Sequence, residues 1–214
     1  WMDHSMYARG DKEINDKPRK MVGGPDCKKP YLASILNISA MSFGSLSKNA
    51  IMALNKGAKK GRFAHNTGEG SISPYHLKYG GDLIWQIGTG YFGCRTDEGE
   101  FCPDKYAENA TLDNVKMIEI KISQGAKPGH GGILPAAKNT EEIAKIRGVK
   151  PHKDVHSPPS HSAFSNADEL VKFIELLRDK SGGKPVGFKL CIGKKSEFIE
   201  ITNAGVKESH PHDV

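Results

Sequence analysis

No apolar run in the 214-residue chain is long enough to span a bilayer, so a transmembrane helix is excluded and a soluble, globular protein is expected. The charged, apolar and small-residue succession of a signal peptide is missing as well. The first residue is Trp rather than Met, so the opening residues are not expected to be the gene's own start. Cysteine is sparse: Cys27, Cys94, Cys102 and Cys191 form no C-x-x-C pair. That spacing argues against structural zinc and a disulfide framework and for a reducing compartment, the cytoplasm. Aromatic residues make up 7% of the chain, and none interleaves with its one basic cluster, KGAKKGR (56–62). Despite a formal net charge of +6, nucleic-acid binding is therefore not expected. The cluster reads as the exposed side and C-terminal end of a helix closing on Gly61. His152, His156 and His161 lie among prolines that break any helix, without the acid of a metalloprotease pattern, so no metal is expected.

What is present is a succession of apolar runs, each stopping at a Gly-rich loop. YLASILNISAMSFG reads as a strand, followed by a helix that Ser47 caps and whose Ile51, Leu54 and Ala58 recur at helical steps. Further strands are expected in RFAHNTGEGS, LIWQIGTGYFG, KMIEIKIS and KPVGFKLCIG, with a helix from about Asp104. TEEIAKIRG has a Thr cap, acids in its first turn and Arg147 in its last. In NADELVKFIELLRDKSGG, residues Leu170, Phe173, Ile174 and Leu177 form one apolar face, stopped by Gly182 and Gly183. About five β/α units fit a partial (β/α)8 TIM barrel better than a doubly wound sheet. A complete barrel takes about 250 residues.

GTGYFG (88–93) formally matches G-x-G-x-x-G, but CRTDEGEFCPD follows it, which supplies no helix N-terminus for a pyrophosphate. The segment QGAKPGHGGILPAAK (124–138) is the least ordinary. It has four glycines, two prolines, one His and few other polar side chains apart from Lys127, and it suits a surface that recognises a ligand through backbone amides and a lysine.

ISAMSFGSLS, AHNTGEG, WQIGTGYFG, KISQGAKPGHGGILPAAK, IAKIRG, SPPSH and GFKL follow in the order and approximate spacing of the FMN-binding domain of glutamate synthase. The chain resembles the stand-alone prokaryotic type of that family, over roughly Asn37 to Ile201. The resemblance implies FMN as cofactor and reductive amination of 2-oxoglutarate, or a similar oxo acid, by hydride from reduced FMN. It implies that Lys127 and Arg147 bind the oxo-acid carboxylates. Met41, Ser42 and Gly44 would face the flavin, and Gln86 would hydrogen-bond its ring. Lys189 would stabilise negative charge on the reduced ring. Glu69 matches an acid near the end of the family's ammonia tunnel and would receive ammonia or a proton, or else act as a loop acid beside Arg62 or Lys60. Ser157 and His161 fall in a stretch similar to a loop over the family's substrate.

Two positions depart from the family's KPGEGGQLP: His130 replaces the acid and Ile133 replaces a glutamine that contacts substrate. No cysteine matches the family's iron–sulfur ligands, no N-terminal nucleophilic Cys is present, and the phosphate-gripping Gly-rich region is missing. The expected organisation is an N-terminal arm (1–30), an incomplete, C-terminally truncated barrel (31–201) and a polar tail (202–214). Ammonia and electrons would come from other subunits, and the open edge of a partial sheet points to self-association. Two alternatives stand beside the enzyme: a non-catalytic barrel fragment, and the subunit of a related amine–glutamate ligase of the N-methylglutamate synthase type.

Overall fold

Alternating apolar strands and capped helices produce the order seen in the computed structural model, which describes residues 6–7, 18–25, 27–125 and 129–207. The chain runs β1 (Arg19–Val22), β2 (Tyr31–Ser34), α1 (Lys48–Gly61), β3 (His65–Asn66), α2 (Pro74–Leu77), β4 (Leu83–Ile87), α3 (Pro103–Ala110) and β5 (Val115–Lys121). It continues with β6 (Ile133–Leu134), α4 (Glu141–Arg147), β7 (Val155–His156), α5 (Ala167–Lys180), β8 (Val186–Lys189) and α6 (Lys195–Lys207).

Strands β3, β4, β5 and β8 form one parallel sheet in that order. Ile38 adds a single parallel bridge to His65 at the β3 edge. A parallel sheet whose strands are joined through helices is an α/β arrangement, compatible with part of an α/β barrel. Along β5 the side chains alternate. Ile118 and Ile120 are fully buried, whereas Met117, Glu119 and Lys121 point to the other face. The first face packs on α3 and α5: Trp85, Ile118 and Ile120 meet Tyr106, Phe173 and Leu177 in the main core. Trp85 stacks on Tyr106 with ring centroids 5.4 Å apart. The second face carries polar chemistry, because register sets Gln86 beside Glu119 and Lys121 beside Lys189.

Ser47 and Thr140 cap α1 and α4 as expected, and Asn166 caps α5, each accepting from a backbone N–H of the first turn. Helix α1 ends one residue differently. Gly61 is its last residue, and Arg62 takes the left-handed conformation at φ 54°. The expected strand over YLASILNISAMSFG is split. Asn37 turns the chain by donating to the Ser34 carbonyl at 2.7 Å and accepting the Ala64 N–H at 2.9 Å. What remains of it is β2 and isolated bridges at Ile38 and Phe43, and β2 pairs antiparallel with β1, which lies in the residues read as an irregular arm. Helix α6 runs to Lys207, past the polar shift at Thr202.

Lys184 closes the end of α3 from the start of β8. Its ammonium, on a residue 6% exposed, donates to the carbonyls of Ala110 and Leu112 at 2.5 and 2.7 Å. Lys184→Met takes the ammonium donor from the buried Ala110 carbonyl, while the Leu112 carbonyl keeps the Val115 N–H, and is expected to cost about 1–3 kcal/mol. A urea-unfolding midpoint equal to that of the unmodified chain would remove this role.

Candidate functional site

Arg147 ends α4, where a basic residue ordinarily lies in solvent beside the last carbonyls. Here it is 5% exposed. A cluster of Phe43, Ile51, Leu134 and Ile143 packs α4 against α1 and the loop after Ile38, which carries Arg147 inward. Its Nη2 donates to the Phe43 carbonyl at 3.1 Å, and its Nε is buried without a partner. The guanidinium carbon lies 5.2 Å from the centroid of the Phe92 ring. A Cβ at Gly70 would come within 2.9 Å of Nη2, so a side chain there would displace the guanidinium from its present place. Burial pulls the Arg147 pKa below its usual value, and the nearby Glu69 charge opposes the shift.

Glu69 and Arg147 line a cavity of about 120 Å³ with Ser42, Ser45, Phe92 and Ser157. Ile133 and Leu134 give it an apolar side, and Ile133 itself is 66% exposed. The Glu69 carboxylate accepts from Lys121 Nζ at 3.1 Å, so the acid pairs with a strand lysine and not with Arg62 or Lys60. It is threaded between two backbones. A Cβ at Gly88 would lie 2.9 Å from Oε2, and one at Gly132 would lie 2.9 Å from Oε1. Two of the glycines in the Gly-rich segments thus make room for one carboxylate. On its other side Glu69 borders a smaller cavity of about 40 Å³, shared with Thr89, Lys121, His130 and Pro158.

Behind Lys121 stands His161, 5% exposed, whose Nε2 pairs with the Lys121 carbonyl at 2.8 Å and whose Nδ1 pairs with Tyr91 Oη at 3.1 Å. The carbonyl can only accept, so Nε2 carries the hydrogen and Nδ1 takes the one from Tyr91. Burial lowers the His161 pKa, in keeping with a neutral ring. Its nitrogens fix strand and loop to each other.

Of the residues expected at the site, Ser42, Glu69 and Arg147 meet at the larger cavity, and Gly44 abuts Arg147. Met41 anchors the loop by its backbone, accepting from His76 at 3.0 Å, while its side chain packs into the cluster around Phe43. Gln86 is 1% exposed, and its amide donates to Glu119 at 2.6 Å; Asn66 donates to the same carboxylate oxygen at 2.9 Å. Lys189 is exposed at the end of β8, in register with Lys121. Lys127 lies outside the described residues. Lys121, Glu119, Tyr91 and Phe92 were not anticipated. The alternation of charge and hydrophobe in KMIEIKIS was the signal for the first two.

Among the described residues, no three His, Cys, Asp or Glu side chains are grouped to hold a metal ion. No helix among them is long and apolar enough to cross a membrane. GTGYFG forms a tight turn, with Tyr91 N–H bonded to the Gly88 carbonyl, and no helix begins until Pro103.

A family profile described as the conserved region in glutamate synthase matches residues 8–212. A glutamate synthase large subunit-like protein of Bacillus subtilis is 45% identical over 202 residues, covering 93% of this chain and 38% of that protein. An archaeal-type NADPH glutamate synthase of Thermotoga maritima is 35% identical over 154 residues, covering 72% of this chain and 28% of its own. For an archaeal NADPH glutamate synthase of Methanocaldococcus jannaschii the identity is 32% over 191 residues, covering 89% and 34%. The chain therefore spans under two fifths of the length of each of these relatives. With the profile matched over nearly all of its residues, the chain belongs to the glutamate synthase family.

Proposed function

We propose that this chain forms the oxo-acid side, and part of the flavin side, of a glutamate synthase-type oxidoreductase. The reaction is reductive amination of 2-oxoglutarate to glutamate, with ammonia and electrons delivered by other subunits or segments. One observation carries the reading: a buried guanidinium with an unpartnered Nε borders a cavity that also holds an ion-paired carboxylate. A desolvated Arg fork recognises a carboxylate through charge-assisted hydrogen bonds. Lys127 would supply the second cation.

The residues fit FMN along one edge. Lys189 ends its strand exposed, with no carboxylate paired to it among the described residues, next to a second lysine in register. A cation at this position suits a ring that becomes negative on reduction. Gln86 fits less simply, since its amide nitrogen is bonded to Glu119 and only its carbonyl oxygen would serve a ring. Met41, Ser42 and Gly44 would complete the contact from the neighbouring loop. Bound FMN would supply the hydride. The chain's own residues would hold the oxo acid at Arg147, keep Glu69 oriented by Lys121 to take or give a proton, and close the loops over both.

Titration of the 214-residue chain with FMN, read by visible absorbance, tests the flavin half. Stoichiometric binding with a perturbed spectrum is the expected result, and no binding would take FMN away from this chain. Lys189→Ala is expected to weaken that binding about tenfold or to lower the potential of the bound flavin, by loss of one cation. Unchanged affinity and potential would remove Lys189 from the site.

A further inference from the structure

The GTGYFG turn serves neither a dinucleotide nor, directly, the reaction just proposed, yet Phe92 within it is 4% exposed and forms part of the cavity wall. Two guanidinium groups approach its ring: Arg147 at 5.2 Å and Arg95 at 5.7 Å from the centroid. Arg95 is itself tied down, its Nη1 donating to the Gly90 carbonyl at 3.2 Å. A Cβ at Gly90 would come within 2.9 Å of Phe92 Cζ, so the turn glycine leaves the space in which the ring lies.

Resting on the reading that Arg147 binds the oxo-acid carboxylate, we infer that Phe92 is a positioning residue of that site, an aromatic platform that holds the Arg147 guanidinium. The physical need is plain. Among the described residues Arg147 makes one side-chain hydrogen bond, to the Phe43 carbonyl, and its buried Nε has no partner, so hydrogen bonding alone does not fix the plane of the fork. An arginine side chain that must be ordered at the moment of binding loses rotamer entropy then, and affinity with it. The negative face of an aromatic ring attracts a desolvated cation and favours particular placements of the guanidinium over it. Arg95, three residues further along the same loop, folds back on the ring and bonds to the Gly90 carbonyl, which braces the turn that carries the platform. Gly88, Gly90 and Phe92 then belong to one device: the first glycine admits the Glu69 carboxylate, and the second admits the ring that steadies Arg147.

The test is binding of 2-oxoglutarate to the 214-residue chain, by calorimetry or by NMR titration. Phe92→Leu is expected to weaken binding about tenfold and Phe92→Tyr by less than about twofold, because tyrosine keeps the ring face. Should Phe92→Leu fail to fold, fluorinated phenylalanines incorporated at position 92 keep nearly the same shape while draining the ring of negative charge. Affinity falling stepwise with fluorination supports the inference, since a merely space-filling ring would not show that trend. Undiminished affinity in the fluorinated series, alongside loss of binding in Arg147→Ala, overturns the platform and leaves the carboxylate site standing. Undiminished affinity in Arg147→Ala, or no binding by the unmodified chain, overturns the site and the platform together.

Discussion

Arg147→Ala is expected to weaken 2-oxoglutarate binding by about a hundredfold or more, while FMN content changes little. Truncating one partner of a buried, hydrogen-bonded charge pair costs ~2–5 kcal/mol, which is about 30- to several-thousand-fold. A loss of a hundredfold or more falls within that range because, beside the proposed Lys127, the cavity lining offers a carboxylate no other cation: Ser42, Ser45 and Ser157 are neutral, and Glu69 would repel it. Arg147→Lys should recover only part of the loss. A lysine ammonium cannot both donate to the Phe43 carbonyl and present a planar fork, and it is more strongly hydrated than a guanidinium. Equilibrium titration of each variant with 2-oxoglutarate, beside flavin absorbance of the same samples, separates an oxo-acid defect from general unfolding. Full-strength 2-oxoglutarate binding in Arg147→Ala would mean that the buried arginine is a fold element only.

Helix α4 shows how far the sequence carried this site. Thr140, the acids at 141 and 142 and Arg147 specified a helix and its ends correctly, since capping is decided within a few residues. The same pattern, however, serves equally for an exposed or a buried Arg147. What buries it are Phe43 and Phe92, 104 and 55 positions earlier in the chain. Glu69 failed in the same way. Arg62 and Lys60 are its neighbours along the chain, but strand register brings Lys121 to it, and register depends on tertiary packing. Two-residue strands such as β6 and β7 are too short for period-two alternation to register at all. The family resemblance located Arg147, Glu69 and Ser42 in the chain, but only the folded structure supplies the partners of each.

Stability of the chain is expected to fall steeply between about pH 6.5 and pH 4, because two buried histidines are held neutral beneath the site. His65 and His76 are both 0% exposed, with ring centroids 5.1 Å apart. Burial lowers each from an ordinary value near 6.5 to about 4, and for His65 the like charge of His76 adds to the effect. In the unfolded chain both take up protons near pH 6.5, while in the folded chain they resist until about pH 4. Through that interval the unfolded state binds more protons, so folding stability rises with pH, is complete above about 6.5 and is lost as pH falls. Each imidazole accounts for up to ~3 kcal/mol, and the two together rival the ~5–15 kcal/mol of a typical domain. The damage begins at a defined bond. His76 Nε2 donates to the Met41 carbonyl, so its Nδ1 is the acceptor of the Ser73 N–H in the capping box of α2. A proton on Nδ1 turns that acceptor into a second donor and takes away the acceptor of the Ser73 N–H, while Nε2 goes on donating to the Met41 carbonyl. His65, whose two nitrogens have no partner, offers the cleaner test. His65→Phe removes one buried titration and two unpaired polar atoms, and should flatten the fall in urea-unfolding free energy between pH 7 and pH 4.5 in part, His76 and the buried His161 keeping the remainder. A variant whose stability tracks the unmodified chain point by point over that range would show that the acid sensitivity arises elsewhere.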